Sequence, residues 1–330
     1  MRAMLEWHGI RRYARIRPPQ NSRAKMITVE SQKAVRSAPS LPLTTTLGPA
    51  RIAVTNRDQA LFVWRDTVGL ELLSEDAEAL HLGAGGKELI TLELGATHPV
   101  LDHSLGLYHV AIHVPTRADL AQMVVRALQR RVRISPTDHL VSEAVYLWDH
   151  DNNGIEITFE TPWRGRIGDP DEGVYVRTID GSPHSGREPI DLDNLLAELG
   201  PVPTLVPAMP VGTRIGHIHL HVNDLDRAMA FYRDGIGFGG LFIMRRFGMG
   251  DLGLDYTPHA LAFNVWSGPN AKQQPAGHAG LRWFGIVVPD IAALDAMKSR
   301  LTSIGASYTE TNKGLDVKDP AGNLAKVTVA

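Results

Sequence analysis

Apolar positions along this chain alternate over short runs and then switch to a helical spacing, and the switch recurs four times. The segments are GPARIAVTNRDQALFVWRDTVGLELL from Gly48, YHVAIHVPTRADLAQMVVRALQRR from Tyr108, GHIHLHVNDLDRAMAFYRDGIGFGG from Gly216 and RWFGIVVPDIAALDAMKSRLTSIG from Arg282. Each begins as an alternating strand, passes a polar turn that offers an Asp, Asn or Thr as helix cap, and continues with apolar residues at i, i+3 and i+4. Val54, Val114, Val222 and Val288 fall at matching places. About forty residues of strand-like alternation follow each helix, so the pattern predicts βαβββ modules of about 55 residues.

Between the second and third modules lies an insert, residues 161–213, with Pro, Gly and charge and one short helical stretch, Leu192 to Leu199, ended by Gly200-Pro201. It reads as a connector between residues 47–160 and 214–330, each holding two modules. The expected fold is α+β, in two similar halves. Residues 1–46 differ: Arg2, Arg11, Arg12, Arg15, Arg17, Arg23 and Lys25 face one acid before Met26. This stretch reads as a disordered tail, or as upstream sequence with Met26 as the true start.

A chain of 330 residues exceeds the usual single domain. Net charge is −2, which makes no electrostatic case for nucleic acid or an acidic membrane surface. There is no cysteine, so any metal chemistry falls to His and carboxylate. No apolar run approaches the ~18 residues of a membrane span. Nothing in the composition argues against the cytoplasm, and self-association is left open.

One stretch concentrates candidate chemistry: DHLVSEAVYLWDHDNNGIEI, from Asp138 to Ile157. Tyr146 lies on a predicted strand, Asp149 to Gly154 form a tight turn, and Glu156 and Thr158 share one face of the next strand. By itself, Glu156 reads first as a solvent-facing residue on a surface strand, with a well-held metal ligand as the alternative.

With these residues in view, the chain resembles the vicinal oxygen chelate superfamily, which holds glyoxalase I, bleomycin resistance proteins and extradiol ring-cleaving dioxygenases. VNDLDRAMAFYRDGIGF and GLYHVAIHVP look like its module openings. The stretch from Asp138 is similar to the extradiol signature, in which His, Tyr and Glu stand at about these intervals. His150 occupies the signature's Pro position and Asn152 its Gly position, and both still suit a turn. GLYHVAI, DHLVSEAVYL, NGIEI and IGHIHLHV are closest to the bacterial catechol 2,3-dioxygenases. The resemblance implies modules paired into open barrels and an Fe(II) centre, with Mn(II) suited to the same ligands, held by two His and one carboxylate.

In the aligned modules the ligand slot on the first strand is Pro49, His109, His217 and Trp283, and the late-strand carboxylate slot is Glu156 in module two and Lys326 in module four. The complete set is His109, Glu156 and His217, from modules two and three. The better-known extradiol arrangement draws all ligands from the last two modules, so two pairings stay open: neighbouring modules together, or two with three around the metal and one with four in a second barrel without one. His219 and His221 share a strand face with His217, and His113 is in phase with His109 without an assigned role. The resemblance further implies His259, in the phrase Pro258-His259-Ala260-Leu261-Ala262-Phe263, as acid–base group, with His139 and Tyr146 beside the substrate. Trp148, Phe263 and Trp266 are candidates for an aromatic pocket. The implied activity is extradiol cleavage of a small aromatic diol by O₂. A metal-dependent glyoxalase-like isomerase and a non-catalytic binding protein of the same superfamily are the alternatives.

Overall fold

A computed structural model describes residues 37–167, 176–201, 204–254 and 260–330. The predicted module recurs four times. Module one is β1 (Thr46–Ala53), α1 (Arg57–Leu61, continued in a wider π turn over Phe62–Thr67), β2 (Glu71–Glu75), β3 (Ala79–Ala84) and β4 (Lys87–Glu93). Module two is β5 (Gly106–His113), α2 (Arg117–Gln129), β6 (Ser135–Asp138), β7 (Ser142–Trp148) and β8 (Gly154–Glu160). The connector holds β9 (Gly165–Ile167), β10 (Val176–Thr178), β11 (Pro183–His184) and α3 (Leu192–Ala197). Module three is β12 (Arg214–His221), α4 (Leu225–Ala230, again widened over Phe231–Ile236), β13 (Gly239–Met244), β14 (Met249–Gly253) and β15 (Leu261–Asn264). Module four is β16 (Gly280–Val288), α5 (Ile291–Ser303), β17 (Tyr308–Thr311), β18 (Gly314–Lys318) and β19 (Leu324–Val329).

The polar turns cap the helices as their residue types suggest. Asn56 accepts from the Asp58 and Gln59 amides, Asp224 from those of Asp226 and Arg227, and Asp290 from that of Ala293. Thr116 and Asp119 form a reciprocal capping box.

Strand order shows how the modules pair. One eight-stranded sheet runs β17-β18-β19-β16-β1-β4-β3-β2 and the other β13-β14-β15-β12-β5-β8-β7-β6. Modules one and four thus share a sheet, and modules two and three share the other. Each sheet therefore draws on both sides of the connector, on residues 47–160 as well as 214–330. The reason lies in the first strands, since β5 hydrogen-bonds antiparallel to β12 and β1 to β16. Among the described residues neither sheet closes on itself. The architecture is the α+β fold of open-barrel modules.

Sequential modules are tied by a different device. Asp149, at the β7–β8 turn, accepts from the amides of Asp151 and Asn153, from Asn153 Nδ2, and from Trp64 Nε1 of module one at 3.0 Å. Asp319, at the β18–β19 turn, repeats this with Ala321, Asn323 and the Tyr232 hydroxyl of module three at 2.9 Å. Asn152, at the signature's Gly position, takes a left-handed φ of 69°, which asparagine tolerates. Trp64, Tyr232 and Phe284 are fully buried in one continuous core with both sets of first strands.

Candidate metal centre

The site grows from four adjacent strands. His217 stands on β12, His109 on β5, Glu156 on β8 and Tyr146 on β7, with Ala111 directly opposite both His217 and Glu156 and Tyr146 opposite Glu156. Period-two alternation therefore turns all of them to one face. The side chains meet there. His109 Nε2 is 2.8 Å from Glu156 Oε2, His217 Nε2 is 3.1 Å from the same oxygen, and the two Nε2 atoms are 3.0 Å apart. All three residues are buried, and among the described residues this is the group able to hold a metal.

That triangle suits a divalent ion. Ligand distances of about 2.0–2.2 Å place neighbouring ligands of an octahedron about 3.0 Å apart. Two imidazoles and a carboxylate on one face also leave positions open on the other. Burial alone would raise the Glu156 carboxyl, but His217 and His109 hold it well below the usual carboxylate range. Thr158 Oγ1 donates to Glu156 Oε1 at 2.9 Å, which leaves Oε2 to the histidines. Ala111 is the small residue at the centre of the set, fully buried.

A cavity of about 320 Å³ opens on this face, lined by His109, Glu156, His217, Tyr108, Tyr146 and Trp266 among others. His139 lines it too: its Nε2 lies 2.8 Å from the Tyr146 hydroxyl and its Nδ1 2.6 Å from the Gly186 carbonyl. His219 is buried on the cavity wall, its Nε2 bonded by Asn264 Nδ2 at 2.9 Å, while His221 is bonded to Asn264 Oδ1 at 2.7 Å. Burial pushes the His221 imidazole down and the Tyr108 phenol up. Phe263 is buried in the core, and Trp148 is exposed and does not line the cavity. His259 lies outside the described residues.

In the second sheet the equivalent places hold other chemistry. Trp283 and Lys326 occupy the ligand slots, the ammonium lying 5.5 Å from the ring centroid and 3.2 Å from Asp316. Asp316 pairs with Lys326 as Tyr146 pairs with Glu156. A cation occupies the slot of a carboxylate ligand there.

Similarity to known proteins bears on this arrangement. The chain is 34% identical over 281 residues, 84% of its length and 94% of the relative's, to a protein of Bacillus subtilis (strain 168) named catechol-2,3-dioxygenase. The chain belongs to the glyoxalase/bleomycin resistance protein/dioxygenase superfamily. The signature of that superfamily matches residues 214–327. In fold, the chain resembles glyoxalase I from Zea mays, with a TM-score of 0.53, 14% identity and coverage of 87% of this chain and 92% of that one. Membership supports a dioxygenase-like enzyme of the oxidoreductase class with a metal site at the His–His–Glu cluster.

The cavity also contains residues that sequence reasoning passed over. Tyr108 sits where the β5–β12 register slips between His219–His109 and Leu220–Leu107, a bulge that frees it from simple alternation. Its ring lies 5.0 Å from that of Trp266 and 4.8 Å from that of His219. The connector supplies Arg187 to the cavity wall and the Gly186 carbonyl behind His139; the Arg187 guanidinium lies 4.8 Å from the centroid of Phe247. Backbone bonds between Glu188 and Asp138 pin this segment to β6. No local pattern marks these connector residues, and the bulge at Tyr108, repeated at Arg282, emerges only once the strands are paired.

Proposed function

We propose that this protein is an extradiol ring-cleaving dioxygenase, acting on a catechol-type aromatic diol with O₂ at a metal centre formed by His109, Glu156 and His217. The observation that carries the reading is the buried three-atom cluster beside the Tyr146–His139 pair, in one cavity. Fe(II) suits these ligands, and Mn(II) suits the same set. When bound, such an ion supplies adjacent open positions for both diol oxygens and for O₂.

The chain's own residues perform the rest. Glu156 is held ionised, so it offers a full negative charge beneath the site. The Tyr146 hydroxyl, beside His139, is placed to hydrogen-bond a diol oxygen that remains anionic. His139 donates its Nδ1 proton to the Gly186 carbonyl, and a proton on Nε2 donated to the Tyr146 oxygen leaves the single phenol proton for the diol oxygen. His219, Tyr108 and Trp266 form an aromatic wall suited to one face of a planar ring. His259, by its phrase in the sequence, is assigned to remove the diol proton and return it to the product.

Oxygen uptake by anaerobically purified, Fe(II)-reconstituted protein given catechol tests the reading. Uptake with a yellow ring-opened product supports it. Stoichiometric zinc in the purified protein with no oxygen uptake overturns it in favour of a glyoxalase-like isomerase.

A further inference from the structure

His113 lies two positions beyond Ala111 on β5 and is 3% exposed. Its Nε2 is 3.4 Å from His217 Nδ1, and its Nδ1 is 3.3 Å from Glu160 Oε1. Glu160 Oε2 in turn meets Arg214 Nη2 at 3.1 Å. Burial would raise the Glu160 carboxyl, but His113 and Arg214 hold it below its ordinary value. The row His217–His113–Glu160–Arg214 therefore runs from the metal cluster toward the protein surface.

We propose that His113 is a positioning residue for His217, holding that imidazole in the orientation and tautomer that metal binding through Nε2 requires. The inference rests on the metal-centre reading given above. Proton order supports it. An imidazole ligating through Nε2 carries its proton on Nδ1 and needs an acceptor there. His113 Nε2 is the acceptor in reach, so the His113 proton sits on Nδ1, facing a carboxylate that can only accept. One direction of donation suits the row, with His113 Nδ1 and Glu160 Oε1 in ion-pair contact at 3.3 Å and not aligned as a hydrogen bond. The other ligand is built differently, for His109 Nδ1 is buried with no hydrogen-bond partner. Bracing is thus confined to His217.

The backbone is shaped around this side chain. Gly216 is the unpaired residue where the β12–β5 register slips, and a Cβ there would stand 1.9–2.2 Å from the His113 ring. No side chain fits that space. In the other sheet the same crossing joins Gly48 to Val287, with a Cβ contact of 3.2 Å. The close packing of a glycine on the neighbouring strand's side chain is common to both sheets, whereas the imidazole stands only in the one with a ligand cluster.

Titration of the metal-free full-length protein with Co(II), following both affinity and the visible absorption of the bound ion, tests the inference. His113→Ala is expected to weaken Co(II) binding about 10–100-fold and to alter the spectrum, because loss of a ligand's outer hydrogen-bond partner costs about that much. His113→Gln, whose amide oxygen can accept near the Nε2 position, is expected to restore most of the affinity. If His113→Ala fails to fold, His113→Gln and Glu160→Gln carry the test, the latter expected to weaken binding by less than His113→Ala would. Wild-type affinity and spectrum in His113→Ala, or in Glu160→Gln where His113→Ala fails to fold, or equal loss in Gln and Ala, overturns the positioning role while leaving the metal centre intact. Failure of the wild-type protein to bind Co(II) overturns the metal-centre reading itself.

Discussion

The Nδ1 atom of His139 lies 2.6 Å from the carbonyl oxygen of Gly186, 47 residues further along the chain. A carbonyl can only accept, so the proton on Nδ1 is assigned by geometry, and Nε2 is left facing the Tyr146 hydroxyl at 2.8 Å. The connector therefore sets the state of a side chain in the cavity. Tyr146→Phe removes the hydroxyl without touching the His–His–Glu cluster. It is expected to retain metal and to lower turnover about 10–100-fold, the usual worth of a hydrogen bond to a charged group. Metal analysis paired with oxygen uptake measures both halves, and unchanged turnover would remove Tyr146 from the mechanism.

Metal retention separates the three strand histidines. His109→Ala and Glu156→Ala are expected to abolish metal retention, since two remaining ligands hold an ion poorly. His217→Ala should do the same, and His219→Ala should keep close to one ion per chain. Elemental analysis after anaerobic desalting reads the result. Full metal in His217→Ala with loss in His219→Ala would reverse the assignment on β12.

Ala111 bears on the same cluster from below. It faces both His217 and Glu156 across neighbouring strands and is fully buried. Ala111→Leu is expected to fill the space between the ligands and to prevent metal binding with every ligand present. Overpacking of this kind costs about 1–3 kcal/mol of stability. Elemental analysis beside a urea midpoint distinguishes the two effects, and normal metal content would show that the cluster has room to spare.

The turn at Asp149 makes a prediction about pH. Burial pushes this carboxyl up to about 6, against an ordinary value near 3.9. The folded state then binds its proton more tightly than the unfolded chain does. Stability contributed at this position falls as pH rises from about 4 to about 6, and stays at its lower level above that. Asp149→Asn, which cannot accept at both positions, should destabilise the protein more at pH 5 than at pH 7. Urea midpoints at the two pH values decide it, and an equal or larger loss at pH 7 would contradict the assignment.

Much of this architecture is visible in the pattern of residues. The caps at Asn56, Thr116, Asp224 and Asp290 sit where strand alternation yields to helical spacing, because capping is a local matter of one side chain and two amides. The contrast between Glu156 and Lys326 is likewise readable by aligning modules, since a cation and a carboxylate cannot exchange as ligands. What escapes is non-local. Tyr108 enters the cavity through a slip in strand register, and alternation alone would send it to the opposite face from His109. Gly186 and Arg187 lie in a segment with no periodicity, and only the tertiary pairing of Glu188 with Asp138 brings them to the site. The partnership of β5 with β12 likewise depends on packing between segments far apart in the chain.

That partnership has a consequence for the birth of the molecule. His109 and His217 are 108 positions apart, yet they stand on adjoining strands. On the ribosome, β5 emerges with one edge open and keeps it open until the connector and β12 have followed; β1 waits longer still, for β16. Assembly of both sheets is therefore a late event, paced by loop closure over long distances. An open edge that persists this long is a template for a neighbour's strand, so two nascent copies that trade β12 would rebuild the same seam between chains.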